Sequence, residues 1–270
     1  MKLFGMTLSA ALALVMMSTA YAAEGTIYKT AGGRVTGEIR WKNSAREYAV
    51  TNAKGMTVTL PADDVERIDM VRPAKLDAAI RGVKAGGSKM SSAIADLEKI
   101  AKEYSHLTFD REASSWLAQA YLKQGNASKA VSVCETVIRG DAEAAYMGPM
   151  AVTYWDALIK DGKASKLRLH LDKAIASGDS VAAANALVAR GNEIMARGAS
   201  RANCEEALRD GYLRVILLYA DTSTDASTDA FAQALYMGAK AFDGMGQGNR
   251  ANKLRATLKA ECAASSWARR

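Results

Sequence analysis

Few residues of this 270-residue chain have types and spacing suited to catalysis. The chain has two histidines, His106 and His170, and its sequence does not contain the HExxH, CxxC or GxSxG motif. A metal site or a nucleophile–base pair needs partner side chains at defined spacing, and neither histidine has them. We therefore expect no enzyme activity, no catalytic residue, no metal ligand and no cofactor. Both histidines are predicted to be structural or solvent-facing.

Two other stretches resemble ion-binding or phosphate-binding segments in composition alone. Asp221, Asp225 and Asp229 are spaced four residues apart, whereas a calcium loop needs oxygen ligands at alternate positions, then a glycine and a glutamate. The segment Gly86-Gly-Ser-Lys89 lacks the other residues of a phosphate-binding loop. We interpret the aspartates as part of a polar, helix-capping linker and the glycine pair as a hairpin turn.

Residues 1–22 have the features of a secretory signal peptide. Lys2 precedes an uncharged apolar run that extends to Met17, and Ala20 and Ala22 have the A-x-A arrangement found at cleavage sites. The alternative, a membrane anchor, needs an apolar stretch of about 20 residues, and this run is shorter. We predict cleavage after Ala22 and an exported, soluble protein, periplasmic or extracellular, with no transmembrane segment in its mature chain.

Three cysteines are too few for a disulfide scaffold. Cys134 lies among valines, where a thiol behaves as a small buried hydrophobe. Export implies an oxidising compartment, in which one bridge is possible. If any pair is bridged, the sequence favours Cys204 with Cys262.

The formal net charge is +7, and basic residues are concentrated between residues 249 and 270. They are Arg250, Lys253, Arg255, Lys259, Arg269 and Arg270. Such a stripe suits nucleic acid or an anionic membrane surface, but export makes nucleic acid an unexpected partner. The interpretations that remain are a solvated helix face and a peripheral contact with the cell envelope.

Residues 23–73 have the period of β-strands. Apolar and polar residues alternate in Arg34–Trp41, Glu47–Thr51 and Met56–Leu60, between turns rich in glycine and asparagine. About five short strands bury little surface unless the sheet curls on itself, and closure also removes exposed edges. We therefore predict a small, closed five-stranded β-barrel.

This region resembles the Sm-like or SH3-like small barrels at the start of many exported bacterial repeat proteins. The resemblance rests on Gly33-Arg-Val-x-Gly-Glu-Ile39, Tyr48-Ala-Val50, Gly55-Met-Thr-Val-Thr-Leu-Pro61 and Val65-x-x-Ile68. Sm barrels bind RNA, but export argues against transferring that role to this chain.

Residues 74–270 have helical spacing and an internal repeat. Around Tyr121, Leu117 and Ala118 precede the aromatic residue, and Gly125 and Ala130 follow it. The same skeleton recurs along the chain, with turn glycines at positions 87, 125, 162, 198 and 246. Small residues let neighbouring helices pack closely, and glycine permits a left-handed turn between them. The pattern predicts about five antiparallel helical hairpins.

This skeleton resembles the tetratricopeptide (TPR) repeats of bacterial envelope proteins. The resemblance implies an α-solenoid whose concave surface binds peptides or other proteins. Aligned positions on the first helix of each hairpin give the candidate partner-binding residues Gln119, Lys123, Asp156, Lys160, Asn192 and Lys240. The alternative is that these side chains are merely solvated.

The sequence as a whole favours a mainly α protein without catalytic function. We expect a TPR-like solenoid, preceded by the small barrel, that binds a protein or peptide partner or serves as a scaffold in the bacterial periplasm or envelope. The alternative is an envelope-binding module that contacts peptidoglycan or anionic lipid through the basic C-terminal helix.

Overall fold

The structure is a computed structural model that describes residues 23–270. The chain divides into two compact units, with the boundary between Val71 and Arg72. The sequence pattern placed this boundary after residue 73. The predicted signal peptide, with its cleavage site after Ala22, lies outside the described residues.

The first unit contains the five predicted strands in one antiparallel sheet. Their order across the sheet is β4-β3-β2-β1-β5. The core side chains come from alternate positions, and Ile27 and Ile39 are fully buried. The strands are β1 (Ala23–Lys29), β2 (Arg34–Lys42), β3 (Glu47–Thr51), β4 (Thr57–Pro61) and β5 (Val65–Met70).

The prediction of a closed barrel is wrong, because β4 and β5 are the two open edges of the sheet. Both strands run in the same direction, since four antiparallel pairings separate one edge from the other. Closure would therefore require β4 and β5 to pair in parallel. Only the short 3₁₀ turn Ala62–Asp64 connects them, whereas parallel neighbours need a crossover of a dozen or more residues.

A glycine allows the central strands to approach closely. Gly37 in β2 lies opposite Gly25 in β1. A Cβ atom on Gly37 would lie 2.3 Å from the backbone oxygen of Thr51, far inside van der Waals contact. The contact between the paired strands β2 and β3 therefore leaves no room for a side chain at position 37.

The second unit is helical, and within residues 23–270 no helix combines the length and apolar character needed to cross a membrane. A π-helical turn, Leu208–Tyr212, joins α8 to α9. The helices are α1 (Leu76–Ala85), α2 (Met90–Glu103), α3 (Asp110–Lys123), α4 (Ala127–Gly140), α5 (Gly148–Lys160), α6 (Ala164–Ala176), α7 (Ser180–Ala196), α8 (Arg201–Ala207), α9 (Leu213–Leu218), α10 (Asp225–Gly244) and α11 (Gly248–Glu261).

The turn glycines are confirmed. Gly87, Gly125, Gly162, Gly198 and Gly246 all have positive φ, and each lies between two consecutive helices. L-residues with side chains rarely adopt this backbone region, so glycine is the residue that ends one helix and redirects the chain into the next.

The predicted pairing of helices is observed in part. Within the second unit α1 packs on α2, α3 on α4 and α10 on α11, whereas α6 packs more extensively on α7 than on α5. The first helices of successive pairs also pack side by side, in the series α1, α3, α5, α7 and α10. Ala118 and Ala130 have no exposed surface, and Tyr121 is buried. These small residues allow the close helix contacts that the repeat pattern requires.

The π-helical turn fits against a glycine of α7. A Cβ atom on Gly211 would lie 2.8 Å from the Cα atom of Gly191, and a Cβ atom on Gly191 would lie 2.5 Å from the Tyr212 ring. Tyr212 is fully buried, and its hydroxyl donates to Asn192 Oδ1 at 3.0 Å. Two glycines therefore let the backbones of α7 and the π turn meet directly.

All three cysteines are free and buried, so the favoured Cys204–Cys262 bridge is not formed. Cys204 packs with Leu208, Ala239 and Phe242, whereas Cys262 belongs to a different cluster of apolar side chains. The expectation that Cys134 is buried is confirmed, and its burial raises the pKa of the thiol to about 12.

Candidate functional site

A cavity of about 640 Å³ lies between α3 and the connection from α4 to α5. Six of its lining residues share one face of α3 and the turn before it: Thr108, Arg111, Glu112, Ser115, Trp116 and Gln119. The opposite wall includes Asp141, Glu143 and Ala144, and continues through Met147 to Met150. The cavity is therefore a groove along α3, closed on one side by the first turn of α5.

The apolar part of the lining is formed by an aromatic ring and flexible thioethers. Trp116 of α3 is partly exposed, and Met147, Pro149 and Met150 face it from the opposite wall. The Lys84 ammonium lies 5.2 Å from the centre of the Trp116 ring. Methionine adapts to ligands of different shape, and tryptophan gives a large apolar contact area.

A short chain of hydroxyl and amide groups joins α3 to α5 beside this surface. Gln119 Nε2 donates to Thr153 Oγ1 at 3.5 Å, and Ser115 Oγ lies 3.4 Å from the same oxygen. Thr153 Oγ1 donates in turn to the backbone oxygen of Pro149 at 3.3 Å. Ser115 and Thr153 are buried, so these bonds hold the two walls in register.

Most of the charges at the cavity are already paired. Arg111 contacts Asp141 at 2.8 Å across the two walls. Glu112 accepts two hydrogen bonds of 2.8 Å from Arg72, and these bonds raise the pKa of the Arg72 guanidinium. Glu143 is exposed, and its carboxylate makes no ion pair within the described part of the chain.

Gln119 is the predicted partner-binding residue that lines this cavity. Lys123, one turn further along α3, reaches α1 instead. Its Nζ donates to the backbone oxygens of Val83 at 2.8 Å and of Lys84 at 3.4 Å. These carbonyls lie in the last turn of α1, where a cation is stabilised by the helix dipole. Lys123 therefore ties α3 to α1.

The other four predicted residues are held by neighbours within the unit. Asp156 and Lys160 form an ion pair of 2.9 Å along α5. Asn192 accepts the hydrogen bond of Tyr212, and the Lys240 ammonium lies 5.8 Å from the Tyr236 ring centre. None of the four lines the cavity.

His170 lies against Tyr154, with 5.4 Å between the ring centres. Its Nδ1 atom is buried without a hydrogen-bond partner among the described residues. Burial and the charges of Lys173 and Lys166 lower the pKa of the imidazole. Among residues 23–270, no group of three or more His, Cys, Asp or Glu side chains could hold a metal ion.

The basic C-terminal stretch is partly engaged by internal contacts. Arg255 is paired with Asp243. Arg250 lies over the Phe242 ring and Arg270 over the Trp267 ring, at 5.8 and 3.9 Å from the ring centres.

Lys253 and Lys259 are exposed on α11. The stripe therefore presents fewer unengaged cations than its sequence indicates.

Comparison with known proteins gives no family for this chain: no protein-family model matches it, and no curated protein or solved structure shows a significant match.

Proposed function

We propose that this protein is a non-catalytic interaction or scaffolding protein that binds a protein or peptide partner in the cavity between α3 and α5. The observation that carries the proposal is the cavity itself, a preformed groove with an apolar floor and a polar edge. Ligand sites generally combine these two properties. The hydrogen bonds from Gln119 and Ser115 to Thr153 connect the two walls and support a preformed site.

We also propose that the helical unit is a TPR-type solenoid. The positive-φ glycines between paired helices and the side-by-side series of first helices support this assignment. In such a solenoid, the first helices line the concave surface on which partners bind. We place the protein in the periplasm or outside the cell, on the sequence features of residues 1–22.

Site-specific photo-crosslinking tests the proposed function. A photo-reactive amino acid at position 119 faces the cavity, and the same amino acid at position 205 lies on the exposed side of α8. We expect a discrete protein adduct from position 119 in intact cells and none of that size from position 205. Deletion of residues 23–71 should leave the adduct unchanged if recognition lies in the helical unit. Equal adducts from both positions would contradict the proposal.

The alternative function is envelope binding through the C-terminal helix, and the exposed Lys253 and Lys259 of α11 favour it. Sedimentation with anionic lipid vesicles and with purified peptidoglycan tests it, comparing the wild type with a Lys253→Gln/Lys259→Gln variant. Salt-sensitive co-sedimentation that this variant loses would support envelope binding. Recovery of one protein adduct at position 119, unaffected by the variant, would favour the cavity.

A further inference from the structure

We infer that the cavity between α3 and α5 selects a peptide segment in which an apolar side chain lies next to a lysine or arginine. This inference rests on the proposed function, and it adds the chemical class of the partner. Three properties of the lining lead to it: an apolar pocket, a single unpaired carboxylate, and hydrogen-bonding groups suited to a peptide backbone.

The apolar side chain is placed by the floor of the cavity. Trp116 on one wall and Met147 and Met150 on the other leave room for a large aliphatic or aromatic group. Lys84 lies over the Trp116 ring, so a second cation is disfavoured at this end of the groove. An apolar group is therefore the ligand part that fits beside Trp116.

The cationic side chain is placed by Glu143. The cavity's other charged side chains have partners: Arg111 is paired with Asp141, and Glu112 with Arg72. Arg111 neutralises Asp141, but Arg72 lies outside the lining and is shared between Glu112 and Asp77. The lining is therefore net acidic, and Glu143 is its carboxylate without an ion pair among the described residues. Glu143 also lines the neighbouring cavity and is therefore accessible from both sides; Lys173 lines that cavity too but forms no ion pair with Glu143. Complementary charge favours a cation at this position.

The peptide backbone is matched by the remaining polar groups. Gln119 carries an amide next to the apolar floor, and α5 begins at the cavity without a side-chain cap. Amide groups and helix N-terminal N–H groups bind carbonyl oxygens, which a peptide carries at every residue. This set of groups favours a peptide over a lipid chain, which would offer no regular series of acceptors.

Fluorescence anisotropy with matched probe peptides tests the inference on the full chain. The probes are short glycine–serine peptides with a central Lys-Leu-Leu-Lys, Ser-Leu-Leu-Ser, Glu-Leu-Leu-Glu or Lys-Ser-Ser-Lys core. We expect the Lys-Leu-Leu-Lys probe to bind most tightly, the Glu-Leu-Leu-Glu probe to bind most weakly of the three leucine probes, and the Lys-Ser-Ser-Lys probe not to bind measurably. Since an exposed ion pair contributes modestly, Glu143→Gln should weaken the Lys-Leu-Leu-Lys probe by about threefold to fivefold, and added salt should reduce that difference.

Glu261→Gln is the matched control, because it changes the net charge equally at an exposed carboxylate of α11. Trp116→Ala should abolish binding of every leucine probe, and circular dichroism melting must show that this variant remains folded. Met147→Ala is a second variant on the opposite wall, because it shortens the N-cap residue of α5 without adding a hydroxyl that would cap the helix.

The outcomes separate the inference from the proposed function. Leucine probes that bind equally whatever their charge, and are lost in Trp116→Ala, would overturn the inference and leave the proposed function standing. A preference for the Glu-Leu-Leu-Glu probe would do the same. If no probe binds, or if binding survives Trp116→Ala and Met147→Ala, both the inference and the binding role of this cavity are wrong.

Discussion

The sheet and the helical unit use the same residue, glycine, to bring backbones together, but the surroundings differ. In the sheet, Gly37 faces the backbone oxygen of Thr51, and the outer strands β4 and β5 have open edges. In the helical unit, Gly211 faces the backbone of Gly191 at a crossing that α10 also contacts. The glycine contact in the sheet lies near an open edge, whereas the glycine contact in the helical unit is surrounded by packed helices.

This difference predicts how far the backbone of each unit can shift to accommodate an added methyl group. A protein interior is packed as densely as an organic crystal, so an added methyl group needs a neighbour that can move. A strand pair at an open edge can shift outward. The α7–π turn crossing has helices on several sides, and its Tyr212 ring is fixed by a hydrogen bond to Asn192.

The largest effect is expected for Gly211→Ala. The new Cβ would lie 2.8 Å from the Cα atom of Gly191 and 2.9 Å from the Leu187 backbone oxygen. Neither atom belongs to a side chain that can rotate away. We expect a loss of about 3 kcal/mol in the free energy of unfolding, or about 6 to 12 °C in Tm. Urea unfolding and thermal melting, both followed by the circular dichroism signal of the helices, measure this loss.

Gly248→Ala is the control for this substitution. Gly248 begins α11, and a Cβ atom there meets nothing within 4 Å. Alanine favours the helix over glycine, so we expect stabilisation of about 0.5 kcal/mol. If Gly211→Ala were as mild as Gly248→Ala, the crossing would be looser than the structure indicates.

Gly37→Ala tests the open sheet in the same way. The clash with the Thr51 oxygen is closer, at 2.3 Å, but β3 and β4 can move together because β4 is an edge strand. We expect a loss of about 2 kcal/mol, confined to the first unit. The Trp41 ring centre lies 4.7 Å from that of Tyr48, so Trp41 fluorescence follows the unfolding of the sheet. The measurement uses a background in which the other tryptophans are replaced by phenylalanine. A larger loss than for Gly211→Ala would reverse the comparison.

Lys123→Met tests a polar contact between successive hairpins. The substitution keeps much of the apolar stem but removes the bonds to the Val83 and Lys84 carbonyls at the end of α1. We expect a loss of about 1 kcal/mol, measured by urea unfolding. Lys253→Met, at an exposed position of α11, should change stability by less than about 0.5 kcal/mol. Equal effects would mean that Lys123 does not stabilise the α1–α3 contact.

The regular features of both units could be predicted because each depends on local chemistry. Alternating residues predicted the strands, and positive φ at a hairpin turn requires the glycines that mark it. The failure to close the barrel was not predictable in this way, because it depends on the order of the strands across the sheet. An odd number of antiparallel strands cannot close without a parallel pair, and Ala62–Asp64 is too short to connect one.

Features that depend on contacts between distant segments were not predictable from the repeat pattern. The repeat alignment found Gln119 but missed Trp116, although the two lie on the same face of α3. Met147 and Glu143 lie in the α4–α5 connection, outside any helical period. The linker around Asp221, Asp225 and Asp229 was expected to cap a helix, and the residue in it that caps α10 is Thr224, with Ser227 as its capping-box partner. Helix N-cap signals are local, but several hydroxyl-bearing residues of this linker could each have capped α10.

The smallest expected effect is a dependence of stability on pH from His170. Burial lowers the pKa of its imidazole in the folded protein from an unfolded value of about 6.5. Between the two pKa values the unfolded chain binds more protons, so stability is fully present above pH 6.5 and falls as the pH decreases through this window. Protonation would also place a positive charge beside Lys166 and Lys173.

His170→Asn should remove this slope, because asparagine does not titrate. Urea midpoints measured from pH 8 down to pH 5 should decrease less in the variant than in the wild type. Leu169→Asn is the matched control, because it places the same residue at an exposed position of α6 and removes no titrating group, so the same slope as in the wild type is expected. Since the sheet has no histidine, the His170 contribution should appear in the helical signal alone. An unchanged slope in His170→Asn would mean that the imidazole is equally solvated in the folded and unfolded chains.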